Sequence, residues 1–212
     1  YQRRVRGRMM EIIAILDMSG SMHSLTKDTI GGFNSYVGQL KKQGVQGFIS
    51  LNVFNSEQKL VWDRLPIAIC PELTDAVYSP EGGTALLDAV GKAVTHTKAW
   101  FSTQSADPNV SFFIVTDGEE NSSGEYTQDR VSSLVSEAKE MGWQFLFAGA
   151  NIDAFATASR LGFNEKDTAQ IGNDASAQKS FYKAVFKQQT RGGNFQDTYD
   201  AEQEQEQQSR VL

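Results

Sequence analysis

The sequence predicts a doubly wound α/β fold, in which helices cover both faces of a mostly parallel sheet. Short apolar runs alternate along the chain with longer segments whose apolar residues recur every three to four positions. Alternating strands and helices are typical of a parallel sheet. One pair of strand-like segments, residues 48–54 and 59–65, is separated by only four residues. We therefore expect a hairpin that adds one antiparallel strand at an edge.

Six segments have the length and composition of strands. Two of them, residues 11–16 (EIIAIL) and 110–116 (VSFFIVT), are nearly continuous in apolar residues, as expected for strands buried on both faces. The two hairpin segments alternate in hydropathy instead, which is typical of strands with one exposed face. The predicted strands are residues 11–16, 48–54, 59–65, 110–116, 143–148 and 168–171, the last a short edge strand.

Five segments are predicted to be helices. Between residues 30 and 40, four apolar residues recur at helical spacing, and Gly44 marks the end of that helix. Thr127 and Asp153 stand where they could cap the N-termini of two later helices. The predicted helices cover residues 30–40, 86–97, 127–141, 153–161 and 179–189, and the last is expected to close the fold.

The charge of −6 is unevenly distributed and divides the chain into three parts. Residues 1–8 hold four arginines and no acid, and we interpret them as a basic leader, either a cloning remnant or the stub of a longer protein. Residues 9–191 form the predicted domain. Residues 192–212 are a Gln/Glu-rich polar tail, expected to bury nothing and to be a short solvated helix or a floppy end.

Cysteine and histidine content narrows the metal chemistry. Cys70 is the single cysteine, which excludes an intrachain disulfide and makes a cysteine-based zinc or iron–sulfur site untenable. His23 and His96 are the only histidines, so a histidine-rich metal site is excluded as well. A metal bound by this chain must therefore be held by oxygen.

Composition also limits the classes of partner and the cellular compartment that we expect for this chain. The pI of about 5.0 argues against nucleic acid as the main partner. No apolar run approaches the ~20 residues of a membrane span, so we expect no membrane partner. The first apolar run carries Glu11 and Asp17 and lacks a small-residue cleavage site, so no secretory signal is indicated and we expect a cytoplasmic protein.

Three polar segments lie where predicted strands end or where a helix is about to begin. The first holds Asp17, Ser19 and Ser21 at alternate positions, a spacing that can turn three oxygens toward one point in an extended loop. The second is Gly-Gly-Thr, ending at Thr84, and the third is Thr-Asp-Gly, with Asp117 at its centre. Ligands of doubly wound sheets bind at the carboxyl ends of the strands, so we expect these side chains to form one site.

Two carboxylates and three hydroxyls are hard oxygen ligands that suit Mg²⁺, with Mn²⁺ or Ca²⁺ also possible. The carboxylates balance the charge of a divalent ion, and the hydroxyls add no charge. Mg²⁺ takes about six ligands, so at least one position stays open. A carboxylate from a partner protein is the natural further ligand, and we predict a site that binds an acidic residue.

These segments resemble the metal-ion-dependent adhesion site of von Willebrand factor A-like (vWA) domains, and they occur in the family's order. The resemblance covers roughly residues 10–190 and implies a six-stranded, Rossmann-like sheet with one antiparallel edge strand. It also implies that Thr84 binds the ion directly in the partner-bound state while Asp117 steps back to water. The strings GGTALLD and TDGEEN are most similar to those of bacterial or phage intracellular members.

An Mg²⁺-dependent hydrolase or phosphotransferase of the α/β class is the alternative function. A phosphotransferase of the haloacid-dehalogenase kind would need a second carboxylate at the position of Ser19, which a hydroxyl cannot replace. A hydrolase using metal-bound water would need a general base, and only Glu119 or Glu120 could be nominated. We interpret these glutamates and Asn121 as solvated rim residues, and the binding module is the preferred hypothesis.

Overall fold

A six-stranded sheet forms the centre of the molecule. The structure, a computed structural model, describes residues 9–104 and 109–210. The predicted leader, residues 1–8, therefore lies outside the described residues. The strands are β1 (Met10–Asp17), β2 (Gly47–Phe54), β3 (Gln58–Pro66), β4 (Asn109–Thr116), β5 (Gln144–Gly149) and β6 (Thr168–Gln170).

The strand order is β3-β2-β1-β4-β5-β6. Every neighbouring pair is parallel except β2 and β3, which form the antiparallel hairpin at one edge. The chain builds outward from β1 in one direction through β2 and β3, and then outward from β4 in the other. The order therefore reverses between β1 and β4. This confirms the doubly wound sheet and the antiparallel edge strand predicted from the sequence.

In the described part of the chain, six α-helices cover the sheet, three on each face. The first hydrophobic core includes residues of α1, α5 and α6, and the second includes residues of α2, α3 and α4. Thr127 and Asp153 accept backbone N–H bonds at the starts of α3 and α4, as their predicted capping roles require. The helices are α1 (Thr26–Lys42), α2 (Leu86–Phe101), α3 (Gln128–Glu140), α4 (Ala154–Arg160), α5 (Ala175–Arg191) and α6 (Phe195–Gln208).

The central strand β1 shows why its sequence is apolar throughout. Successive side chains of a strand point to opposite faces of the sheet. Ile12 and Leu16 belong to the first core, whereas Ile13 and Ile15 belong to the second. Both faces of β1 are therefore buried. Its two polar residues stand near its two ends: Asp17 is the last residue, and Glu11, near the start, is buried and paired with Arg64 at 2.8 Å.

The polar tail differs from the sequence prediction that it would bury nothing. It forms α6, whose Phe195 is fully buried and lies edge-on to Phe181 of α5, with ring centroids 6.1 Å apart. Tyr199, one turn later, is also buried, and its hydroxyl accepts the N–H of Gly172 at 3.0 Å. Two aromatic residues at helical spacing give this otherwise polar segment an apolar stripe, which packs against α5.

Two buried acidic residues of α6 are paired with lysines of α5. Glu206 accepts from Lys179 at 2.7 Å and from Lys183 at 3.1 Å, and Glu202 pairs with Lys187. These lysines recur every four residues, so they lie along one face of α5. The pairing explains how both glutamates can be largely buried. The alternating Gln and Glu residues thus form a packed helix rather than a floppy end.

Replacing Phe195 with alanine is expected to lower the free energy of unfolding by about 3 kcal/mol, because a buried aromatic ring is lost and a cavity remains. Urea denaturation followed by circular dichroism measures the change. Gln207→Ala, on the exposed side of the same helix, is the control and should stay within ~0.5 kcal/mol of the wild type. Equal stabilities for the two variants would show that α6 contributes little to the fold.

Within the described ranges, no helix combines the length and the hydropathy that a bilayer crossing requires.

Candidate metal centre

The predicted site residues converge at the carboxyl edge of the sheet, where the strand order reverses. Asp17 is the last residue of β1, and Asp117 directly follows the last residue of β4. These two strands are neighbours and run parallel, so their carboxyl ends meet at the same edge. Both aspartates are buried, with relative exposures of 0% and 5%.

A chain of hydrogen bonds links four of the five predicted ligands. The N–H of Ser19 donates to Oδ1 of Asp17 at 2.7 Å, which turns the loop sharply after β1. The hydroxyls of Ser19 and Ser21 lie 3.0 Å apart, and the Ser21 hydroxyl donates to Oδ1 of Asp117 at 2.6 Å. These oxygens therefore lie close together, although Ser21 belongs to the 3-10 helix Gly20–Leu25 and not to the extended loop that was predicted. In this arrangement the hydroxyls bind one another and Asp117, and the same oxygens could bind a cation.

Thr84 completes the cluster, and Gly118 allows its approach. A Cβ atom at Gly118 would lie 2.8 Å from the Thr84 hydroxyl oxygen and 3.5 Å from that of Ser21, so any side chain there would collide with Thr84. Thr84 is only 3% exposed. Its hydroxyl forms no hydrogen bond with any residue that the structure describes. Its oxygen is therefore available to a bound ion.

The loop after β1 is fixed by the loop that precedes α2. The N–H of Gly20 donates to the carbonyl of Gly82, and the N–H of Glu81 donates to the carbonyl of Met18, both at 3.0 Å. The hydroxyl of Tyr78 donates to the carbonyl of Asp17. Backbone bonds thus hold the two loops together independently of the ligand side chains.

A second pair of contacts joins the β4 loop to the start of α2. Oε2 of Glu120 accepts the N–H of Leu87 at 2.9 Å, and Oδ1 of Asn121 accepts the N–H of Thr84 at 2.9 Å. Glu120 also accepts the N–H groups of Ser122 and Ser123. Asn121 is exposed, as the interpretation of a solvated rim residue requires, and Glu120 is half-buried, but both also have structural roles: Glu120 caps α2, and Asn121 holds the loop at Thr84. Glu119 is exposed, as expected.

Asp88 is a structural residue that the sequence analysis missed. Its carboxylate accepts N–H bonds from Gly124, Glu125 and Tyr126 at 2.8–3.0 Å. Burial acts to raise the pKa of Asp88, but these three bonds and Lys92 outweigh it and lower the pKa below its usual value. An acidic residue in the first turn of a helix was visible in the sequence, but nothing there showed which loop it would bind.

The electrostatics of the site favour a cation. Burial raises the pKa of Asp17, and the nearby Asp117 raises it further, although hydrogen bonds from Thr116 and Ser19 act in the opposite direction. Burial likewise raises the pKa of Asp117. Neither carboxylate forms an ion pair with a described residue. Two buried, adjacent carboxylates without a counter-charge repel each other, and a divalent ion would relieve that repulsion.

The donor set fits a hard cation. Across residues 9–104 and 109–210, no three His, Cys, Asp or Glu side chains converge as a metal site. A metal at this edge would therefore depend on the serine and threonine hydroxyls as well as on the two carboxylates. Oxygen-only donors suit Mg²⁺, Mn²⁺ or Ca²⁺ rather than zinc or copper. The residues present thus fit the ion predicted from the sequence.

Cys70, Phe54 and Trp62 belong to the hydrophobic cores, whereas His23 is exposed. Cys70 is buried, and its burial raises the pKa of the thiol to about 11, so it is unreactive at neutral pH. Phe54 and Trp62 pack in the two cores. His23 is exposed in the short 3-10 helix Gly20–Leu25 that follows the first ligand loop.

No protein-family model matches the sequence, and no curated protein matches it. Solved structures do match. The pilus adhesin SpaC from Lactobacillus rhamnosus GG, in an open conformation, aligns with a TM-score of 0.65 and 13% identity over 87% of this chain and 30% of SpaC. The vWF domain of the type V pili tip protein Mfa5 from Porphyromonas gingivalis aligns with a TM-score of 0.58 and 12% identity, covering 84% of this chain and 95% of that domain.

A third match is the ArnB paralog VWA2 from Sulfolobus acidocaldarius, with a TM-score of 0.53 and 19% identity over 84% of this chain and 45% of VWA2. At such identities the likeness concerns the fold. The chain therefore has the vWA-type, Rossmann-like α/β fold, as the sequence resemblance implied. It spans less than half of SpaC and of VWA2, so the activities of those whole proteins do not transfer to it.

Proposed function

We propose that this chain is a protein-interaction module that binds an acidic residue of its partner through a metal ion. Mg²⁺, or alternatively Mn²⁺ or Ca²⁺, would be held by Asp17, Ser19, Ser21, Thr84 and Asp117. The observation that supports this most is the pair of buried carboxylates, Asp17 and Asp117, which form no ion pair with a described residue and lie among the hydroxyls of Ser19, Ser21 and Thr84.

Each of these residues would have its own role at the site. Asp17 and Asp117 balance the charge of the ion, and the three hydroxyls complete its neutral ligands. The backbone bonds between the loops hold these side chains in place before binding, so little ordering is needed when a partner arrives. Mg²⁺ supplies an electrophilic centre with an open position for a carboxylate oxygen. The site is thus suited to recognition of an Asp or Glu side chain.

The comparisons support binding rather than turnover. Two of the structural relatives are a pilus adhesin and a pilus tip protein. The enzyme alternative would need a general base near the ion. Glu120 is committed to three backbone N–H groups and to the Ser123 hydroxyl, which leaves only the exposed Glu119. The cytoplasmic location and the bacterial or phage origin stay predictions.

Carboxylate-dependent binding can be tested with two matched peptides. We expect a peptide with a central Glu to bind in the presence of Mg²⁺, and its Gln counterpart to bind at least ten-fold more weakly, because Gln keeps the size and removes the charge. EDTA should abolish the binding of the Glu peptide. Chemical shifts of ¹⁵N-labelled protein measure weak affinities and locate the site. Equal binding of the two peptides, or full binding in EDTA, would contradict the proposal.

A further inference from the structure

Exposed acidic residues surround the candidate metal centre. Glu57, Glu81 and Glu119 are all exposed, and we call them the acidic rim. Each lies in a loop that contacts the ligand loops. The N–H of Glu81 binds the carbonyl of Met18, and Glu119 follows Gly118 directly. Glu57 lies in the β2–β3 turn, and the hydroxyl of its neighbour Ser56 accepts the N–H of Gly83 in the Gly-Gly-Thr loop at 2.8 Å.

The loops at this edge are almost free of basic residues. In the segments 18–28, 55–57, 75–85, 117–127 and 150–153, Lys27 is the only Lys or Arg. Arg160, at the end of α4, lines a groove together with Glu119. The acidic residues of the same segments are Asp28, Glu57, Asp75, Glu81, Asp117, Glu119, Glu120, Glu125 and Asp153.

A groove beside the site carries two more of these acids. It has a volume of about 750 Å³ and is lined by Ile30, Asp28 and Asp75, together with Lys27 and His23 of the segment that follows the first ligand loop. Asp28 and Asp75 outnumber the one Lys or Arg of the lining, Lys27, so the groove adds net negative charge to this edge. It lies at the start of α1, and His23 of its lining is two residues after Ser21.

The charges at this edge of the sheet determine which charge the partner's segment should carry. A divalent ion would be neutralised by Asp17 and Asp117, so the occupied centre attracts a carboxylate only at close range. The surrounding rim repels any further negative charge. A partner whose acidic residue lies in an acidic segment would approach against this field, whereas a basic segment would be attracted.

We propose, on the basis of the proposed function, that the partner presents its metal-binding carboxylate within a positively charged segment, with Lys or Arg residues flanking a single Asp or Glu. The metal would bind the partner's carboxylate, and the acidic rim would attract the Lys or Arg residues that flank this carboxylate. Each exposed ion pair contributes roughly a 1.5- to 5-fold gain in affinity. Several flanking cations would together give about ten-fold.

Four synthetic peptides separate the two contributions. Each has a central Glu or Gln, flanked on both sides by two Lys or by two Ser residues. With Mg²⁺ at saturation and low salt, we expect the Lys-flanked Glu peptide to bind about ten-fold more tightly than the Ser-flanked Glu peptide. The difference should shrink as salt rises, because exposed charges are screened. Titration of ¹⁵N-labelled protein measures all four affinities.

Two charge-matched variants test whether the rim is responsible. The rim variant carries Glu57→Gln, Glu81→Gln and Glu119→Gln, and it should lose most of the preference for Lys-flanked peptides. The control carries Glu72→Gln, Glu140→Gln and Glu165→Gln. Glu72 is located by its neighbour Leu73, whose backbone N–H and C=O bind the side chain of Asn34 in the middle of α1. The other two exposed acids lie at the end of α3 and in the short helix Glu165–Asp167. The control should keep the preference.

The outcomes distinguish this inference from the function on which it rests. Mg²⁺-dependent binding of both Glu peptides with equal affinity would overturn the inference and leave the proposed function intact. Equal loss of preference in the two variants would assign the effect to net charge and would also overturn it. If neither Glu peptide shows Mg²⁺-dependent binding, or if the Lys-flanked Gln peptide binds equally well, the proposed function fails and the inference falls with it.

Discussion

Substituting Asp17 with alanine or asparagine is expected to weaken Mg²⁺ binding by more than ~100-fold. Loss of an outer-shell partner of a metal ligand already costs roughly 10–100-fold, and this change removes a ligand together with half of the balancing charge. The asparagine variant keeps the size of the side chain and can still accept one of the two hydrogen bonds that Asp17 receives from Ser19 and Thr116. Isothermal titration calorimetry measures the affinity.

Asp153→Asn is the matched control for this experiment. It removes one negative charge at the same edge of the sheet, and Asn caps a helix as well as Asp does, so α4 should be unaffected. Its Mg²⁺ affinity should stay within a few-fold of the wild type. Circular dichroism should show that both variants remain folded. An unchanged Mg²⁺ isotherm for the Asp17 variants would refute the assignment of the metal centre.

The fold was predictable because each strand leaves a local signal. The apolar run of β1 follows from burial on both faces, and the four-residue gap between the predicted segments 48–54 and 59–65 admits only a tight connection. Neighbouring parallel strands also bring their carboxyl ends to one edge. The meeting of Asp17 and Asp117, 100 positions apart, could therefore be anticipated from two strand ends without any knowledge of side-chain contacts.

The missed features depend on contacts that no local pattern encodes. In α6, Phe195 and Tyr199 lie in a segment that consists mostly of Gln and Glu. The low mean hydropathy of this segment hid the apolar stripe that these two residues form and that packs against α5. The lysines that neutralise Glu202 and Glu206 come from another helix. A polar helix is stable here because its partner helix supplies the opposite charge.

The residues that position the loops of the candidate metal centre were missed for the same reason, because their contacts are distant in sequence. The carboxylate of Glu120 reaches the N–H of Leu87 and that of Asp88 reaches Gly124, each across more than thirty residues. From the sequence, both were simply acids near turns. The proposed ligands were easier to nominate, because a hard cation requires particular residue types, whereas the residues that position them can be any that satisfy a backbone group.

Thr84→Val is expected to separate metal binding from partner binding. Valine keeps the shape of threonine and removes the hydroxyl, and both carboxylates remain to balance the ion. The Mg²⁺ affinity should therefore fall by less than about ten-fold, in contrast to the Asp17 variants. In our proposal, Thr84 binds the ion directly when the partner's carboxylate is present, while Asp117 acts through water and leaves the ion more of its charge. Affinity for the Glu peptide should then fall by more than about ten-fold.

Thr84→Ser provides the matched control, because it restores the hydroxyl while removing only a methyl group. It should recover most of the peptide affinity, whereas a purely structural role for the buried methyl group would make Thr84→Ser the weaker variant and leave Thr84→Val close to the wild type. Calorimetry with Mg²⁺ and peptide titration at saturating Mg²⁺ give the two affinities independently. Parallel loss of both affinities in Thr84→Val would mean that the hydroxyl holds the metal in all states, and the special role of Thr84 in the partner-bound state would have to be abandoned.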